Sequence, residues 1–245
     1  MKKGLLSCLI VIGFLEILTA MGVIDKAFFP NPILIFKNTF ILLSTDDLLH
    51  QTLFSLGRLA IAFCISFPTA LILALLSAHI KTFDELLNPL VALSFPLPKV
   101  ALYPLLLLIF GIDSWSKISL ISIGLFYLMF INFRIGFLRI LSSNYHDIIK
   151  IYPLSIKNYY LNFLMAGTLQ EILTGLKLAL NYGLTLVVVS EISASNNGIG
   201  YFIWKSWDQF KIINVYSGVF VLSIIGFALY FTFNSFIEKI RLKSN

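Results

Sequence analysis

Residues 145–177 read YHDIIKIYPLSIKNYYLNFLMAGTLQEILTGLK. This is the longest interval between apolar runs on the more basic side of the chain. Tyr145, Ile148, Ile149 and Tyr152 follow an i, i+3, i+4, i+7 spacing and so share one helical face. His146, Asp147 and Lys150 lie largely off that face. Pro153 predicts the end of this helix, because proline lacks an N–H and disfavours helical geometry in the residue before it. Ser155 is placed to cap a second helix carrying Lys157, Asn158 and Asn162. Two uses fit such a segment: a helix lying on a lipid surface, or a polar loop offering a small apolar face to another protein.

Outward from this stretch, the chain is unusually apolar. It is 58% hydrophobic and only 12% charged, where a soluble domain carries about 25% charged residues. The fold class predicted is all-α: a polytopic membrane protein forming one transmembrane domain over 1–245, with no room for a separate soluble domain. The net charge of +6 does not point to nucleic acid, because the basic residues stand at the ends of apolar runs and not on one face. Cys8 and Cys64 fall within apolar runs, without a C-x2-C pattern, and are expected as buried thiols. His50, His79 and His146 sit in separate loops without metal-ligand spacing. No metal and no cofactor is expected.

Six spans are predicted, at about 4–24, 55–78, 89–110, 118–138, 172–190 and 213–237. Glu16 lies within the first. A carboxylate at membrane depth is expensive, so Glu16 is a pathway candidate. Residues 33–50 read as an interfacial amphipathic helix and 79–88 as a short turn. Arg58, at the edge of the second span, is expected to snorkel to water. The third span holds Pro89, Pro96, Pro98 and Pro104. Prolines within a helix free carbonyls that need other donors, so this span should be irregular and lie within the bundle. Lys99 in its midst is a second pathway candidate, either meeting an anion or satisfied by carbonyls. Glu191, at the end of the fifth span, is the third. Gly111, Gly198 and Gly200 are expected at structural turns.

Counting Lys and Arg by side gives eleven on one and six on the other, with Lys99 set aside. The positive-inside rule then puts both termini in the cytoplasm, with 25–54 and 191–212 as outer loops. The chain has no G-x-x-x-x-G-K-[ST] phosphate loop, so it is not its own ATPase. It has no H-E-x-x-H and no G-x-S-x-G, and catalysis is not expected. Two classes remain. A self-sufficient secondary carrier should show inverted repeats and several intramembrane ionisable groups. Here those groups are Glu16, Lys99 and Glu171. The other class is a permease driven by a separate ATPase.

Several stretches favour the second class by resemblance. Asp147, Ile148 and Ile149 fall on the Glu-Ala-Ala positions of the cytoplasmic loop of ABC importer permeases, and Pro153 on the glycine that follows. ILTGLKLAL (172–180) resembles the nitrate/sulfonate/taurine branch of that family. SLGRLAIAF (55–63) resembles its Ser-Leu-x-Arg-x-x-x-Gly-Phe pattern, with Ala62 in place of the glycine. The proline-rich run through Phe110-Gly111-Ile112 and Ser116-Lys117 is also similar, as is GIGYFI (198–203) to Gly-Leu-Gly-Tyr. Met165-Ala166 and Leu169-Gln170 stand where the family has Leu-Pro. The resemblance covers about 50–237. It implies a permease in the plasma (inner) membrane that works with cytoplasmic ATPase subunits and a substrate-binding protein. A pair of identical permease chains is expected, since two-fold symmetry is the commonest way to close an assembly. Asp147, Ile148, Ile149, Tyr152, Pro153 and Ser155 would then couple it to the ATPase. The implied cargo is a small oxyanion, a sulfonate or a vitamin precursor.

Overall fold

The computed structural model describes residues 13, 21, 28–45, 47–143 and 154–243, with side chains through 235. The described residues are helical, without strands. The elements are α1 (Pro32–Ser44), α2 (Asp47–His79), α3 (Lys81–Ser94), a 3-10 turn (Lys99–Leu102), α4 (Tyr103–Phe110) and α5 (Ser114–Leu141). After the interval that includes 144–153, one α-turn (Ile156–Asn158) runs into a π-helical stretch (Tyr159–Met165). Then come α6 (Leu169–Ser193), α7 (Ile199–Asp208) and α8 (Ile212–Lys243).

Local sequence explains the boundaries. Asn31-Pro32 starts α1: the Asn31 side chain accepts from Ile33 N at 2.8 Å, and Pro32 opens the first turn. Pro96 and Pro98 stop α3. Gly111 ends α4 at φ 74°, a left-handed conformation that disfavours side chains with a Cβ.

Among the described residues, four helices, α2, α5, α6 and α8, are long and apolar enough to cross a membrane, and α3 with the segment through α4 adds a fifth if counted as one span bent by 96°. Its contacts follow the bundle from end to end. Asp84, near its start, pairs with Arg134 in the last third of α5 at 2.6 Å. At the bend, Ser94 accepts from Tyr127 OH, midway along α5, at 2.7 Å. Beyond it, Tyr103 OH donates to Ser190 O near the end of α6 at 3.0 Å. The predicted irregular span is therefore present, but it begins at Lys81. The turn expected over 79–88 is confined to Ile80.

α2, α5 and α6 form the core. On α2, Ala62, Ser66, Ala70 and Ala74 repeat every four residues on one face and are buried. Glycines do the same between α5 and α6. A Cβ built at Gly124 collides with Leu186, at Gly136 it lies 2.9 Å from Glu171 Cβ, and at Gly175 it lies 2.9 Å from Asn132 Cβ. Membrane helices associate through such small residues because lipid supplies no hydrophobic drive between them. Phe130, Phe133 and Phe137 of α5 fill the centre.

Three further expectations change. Residues 33–50 are not one interfacial helix. They comprise α1 and the start of α2, and Asn38 ties α1 to α8 through Asn214 (3.0 Å) and Ser217 (2.9 Å). The segment 191–212, expected as an outer loop, is mostly helical, because IGYFIWKSWD is amphipathic. Ile199 and Phe202 of α7 join Leu48 and Val221 in a small second core. Cys64 is exposed on α2 rather than buried, while Cys8 lies outside the described residues.

Candidate functional site

One end of the bundle gathers the start of α2, the start of α5, the end of α6 and all of α7. At its centre is a buried ion pair. Arg58 is 4% exposed, Glu191 is 0% exposed, and Nη1 lies 2.5 Å from Oε1. The expectation that Arg58 reaches water is overturned. Its guanidinium turns inward because Glu191 offers compensation that lipid and apolar side chains cannot.

The pair is the anchor of a helix cap. The first N–H groups of α7 have no intrahelical partner. Gly198 N donates to Gln51 Oε1 (2.7 Å), Ile199 N to Ser55 Oγ (2.8 Å) and Gly200 N to Glu191 Oε2 (3.0 Å). Ser55 Oγ also donates to the Glu191 carboxylate at 2.8 Å. A negative group at a helix N-terminus is additionally favoured by the helix dipole. Arg58 Nη1 donates to Asn197 O at 3.0 Å, and Nη2 to Asn197 Oδ1. The α6–α7 turn is thus bolted to α2 by Gln51, Ser55 and Arg58.

Both glycines of GIG are required by this closeness. Gly198 has φ 110°, and a Cβ there would collide with the Glu191 carboxylate. A Cβ at Gly200 would lie 2.6 Å from Val188 O. Lys117 is 2% exposed at the same end and donates to Asp113 O at 3.1 Å.

Lys99 is elsewhere, at the bend of the broken span. It is 4% exposed, and Nζ donates to Ser94 O at 2.5 Å and Phe95 O at 3.3 Å. It also stands 3.9 Å from the Tyr127 ring centroid. Lys99 thus caps carbonyls at the end of α3, where Pro96 and Pro98 interrupt the helix. Lys99→Met is expected to destabilise the bend by about 1.5–3 kcal/mol, the worth of a charge-assisted hydrogen bond. The check is the thermal midpoint of the purified protein, with Lys99→Arg as the charge-retaining comparison.

The opposite end of the bundle carries the return leg of 145–177. Ser155 caps its first turn as expected, accepting from Asn158 N at 3.4 Å. Arg139 ties this leg to α5 and α6, bonding Glu171 Oε1 at 2.7 Å and Gly167 O at 2.9 Å. Asp147, Ile148, Ile149, Tyr152 and Pro153 lie outside the described residues, as does Glu16.

Sequence reasoning placed Arg58 in SLGRLAIAF and Glu191 at the end of the fifth span, and missed that they meet. Gln51 and Ser55 were not singled out, and a single sequence carries no signal for their contact with 198–200.

The family model for the inner membrane component of binding-protein-dependent transport systems matches residues 66–241. The chain belongs to that family. This permease is 26% identical over 224 residues to a Bacillus subtilis protein carrying the name aliphatic sulfonates transport permease protein SsuC, covering 91% of this chain and 81% of that one. It is 26% identical over 182 residues to the nitrate import permease protein NrtB of Synechococcus elongatus, covering 73% of this chain and 65% of that one. It is 26% identical over 197 residues to the formylaminopyrimidine transport permease protein ThiX of Halalkalibacterium halodurans, covering 80% and 78%. The family is one of transport permeases and not of enzymes, and its members are multi-pass membrane proteins. The match takes in the second part of α2, from Ser66, and the later helices through residue 241, so Glu191 and the 145–177 stretch lie within it, while Gln51, Ser55 and Arg58 precede it.

Proposed function

We propose that this permease lines the membrane pathway of an importer that is powered by a separate cytoplasmic ATPase and supplied by a substrate-binding protein. The observation that carries the reading is the family match over 66–241, which takes in α5, α6, the second part of α2 and the 145–177 loop. The full proposal has six spans, the first at about 4–24, and a single permease domain over 1–245. Both termini are cytoplasmic. A second copy of the chain completes the pathway, since two-fold pairing is the commonest closed assembly. The cargo is a small molecule of the kinds named for the relatives: a sulfonate, nitrate or a pyrimidine vitamin precursor. Glu16, Lys99 and Glu191 lie along the pathway or at the helix contacts that shape it.

In this reading the loop at 145–177 docks on the ATPase. Asp147, Ile148, Ile149, Tyr152, Pro153 and Ser155 form the coupling segment. Its described return leg supports the role. Ile156 and Leu161 are 79% and 55% exposed, while Arg139 and Glu171 fix the base of the leg to the core. Burying an isoleucine side chain contributes about 1.5–3 kcal/mol, so Ile148 and Ile149 together are large enough to anchor the contact. Ile149→Asp is expected to release the ATPase from the detergent-solubilised complex, with permease insertion unchanged. Co-purification of the ATPase with tagged permease is the test. Retention of the ATPase with uptake intact would assign the segment to the lipid surface instead.

A further inference from the structure

We infer that α3 is a hinged arm, latched onto the bundle by Asp84, Arg134 and Ser77, and that release of this latch opens a polar seam beneath the arm to water. The inference concerns the motion of the permease itself. It rests on the importer reading above only in assigning the seam to the transport route.

α3 lies between two breaks. Ile80, which separates it from α2, is extended at φ −115° and ψ 100°. Residues 95–98 separate it from the 3-10 turn, and the span bends there by 96°. Hinges are a few residues of this kind at the ends of elements. Apolar packing does little to hold the arm. Val91 is its one buried residue, while Leu86, Leu90 and Leu93 turn outward and are exposed. Lipid supplies no hydrophobic drive to press such a helix onto its neighbours.

What holds the arm is polar, and the two ends differ. At the bend, buried Lys99 caps Ser94 O and Phe95 O, and Tyr127 OH donates to Ser94 Oγ. At the other end, three helices meet at one carboxylate. Arg134 of α5 holds Asp84 bidentately, with Nε on Oδ1 and Nη2 on Oδ2, both at 2.6 Å. Ser77 of α2 donates to Asp84 Oδ1 and accepts from Arg134 Nε at 3.1 Å. Asp84 and Arg134 are 22% and 17% exposed. The exposed charges of Lys81 and Glu85 beside them set this end in water and not in lipid. An ion pair open to solvent exchanges its partners for water at little net cost. The arm is thus free to leave at its Asp84 end while the buried clamp keeps the bend in place.

Lifting the arm uncovers Ser77 and Arg134. Ionisable groups within spans face the bundle interior or water and mark transport routes. The latch also stands at the end of the bundle that carries 145–177. α5 holds both Arg134 and Arg139, and Arg139 fixes the return leg through Glu171. Movement of that loop therefore has a short path to the latch.

The test uses the full chain in lipid nanodiscs without its two native cysteines (Cys8→Ser, Cys64→Ser). It carries Val91→Cys beneath the arm or, separately, Leu125→Cys, fully buried in the core of α5. The rate of labelling by water-soluble sulfonatoethyl methanethiosulfonate reads the access of water. We expect Asp84→Asn to speed labelling at position 91 at least tenfold and to leave position 125 unchanged. Ser77→Ala, which keeps the ion pair, should speed it severalfold. The exchange of Asp84→Arg with Arg134→Asp should slow it again. An unchanged rate at 91 in Asp84→Asn and Ser77→Ala, an equal rise at 125, or a charge exchange that labels as fast as Asp84→Asn would overturn the latch. No ATPase enters these measurements, so failure of ATP-driven uptake would count against the importer reading and leave the arm standing.

Discussion

Glu191→Leu is expected to lower the stability of the permease by about 3–5 kcal/mol, the cost of removing one partner from a buried ion pair. The substitution leaves the Arg58 guanidinium buried without its carboxylate and strips Gly200 N of its acceptor. Glu191→Gln keeps an acceptor for Gly200 N and should lose less. The double substitution Arg58→Leu with Glu191→Leu removes both charges and should recover part of the loss, since an apolar pair of similar size is often tolerated where a lone charge is not. Thermal midpoints of wild type, Glu191→Leu, Glu191→Gln, Arg58→Leu and the double variant in one detergent decide this. Additive losses in the double variant would mean that the two residues do not act together.

Gly175→Leu is expected to disrupt the α5–α6 contact and to cost at least the upper end of the about 1–3 kcal/mol typical of overpacking. A Cβ at 175 already lies 2.9 Å from Asn132 Cβ and 3.2 Å from Phe133 Cε1. Phe133 is fully buried and cannot swing aside. Gly226→Ala is the control, because a Cβ there reaches only Leu184 Cδ1 at 3.8 Å. Size-exclusion profiles after heating should show Gly175→Leu lost first and Gly226→Ala matching wild type. A Gly175→Leu protein as heat-resistant as wild type would mean that α5 and α6 are free to separate.

Gly175 also shows what the sequence could and could not convey. It was legible as part of ILTGLKLAL, a stretch of the fifth span resembling one branch of the permease family. Its work in the fold depends on Asn132 and Phe133, about forty residues away in the chain, and periodicity says nothing about such a pairing. The apolar runs were legible because each span is long and local. The irregular third span was legible because Pro89, Pro96, Pro98 and Pro104 act on their own backbone. Its start was misplaced, since Asp84, Glu85 and Lys81 read as a turn. In the structure, Asp84 is instead the helical partner of Arg134. Arg58 was misread for the same reason. An arginine near a span edge snorkels by default, and only the packing of α6 against α2 brings Glu191 to it. α7 was hidden by its shortness; Gly198 marks the turn before it, whereas Gly200, expected at a turn, lies within the first turn of the helix.

The most direct test of the account is the energy source for uptake. Vesicles containing this permease alone, or with a cognate ATPase and binding protein, can be loaded with ATP and supplied with labelled nitrate, methanesulfonate or a formylaminopyrimidine. The account predicts uptake of one of these only when ATPase, binding protein and ATP are all present, with no uptake by the permease alone under a proton or sodium gradient. Gradient-driven uptake by the permease alone, unaffected by adding ATP and ATPase, would contradict it.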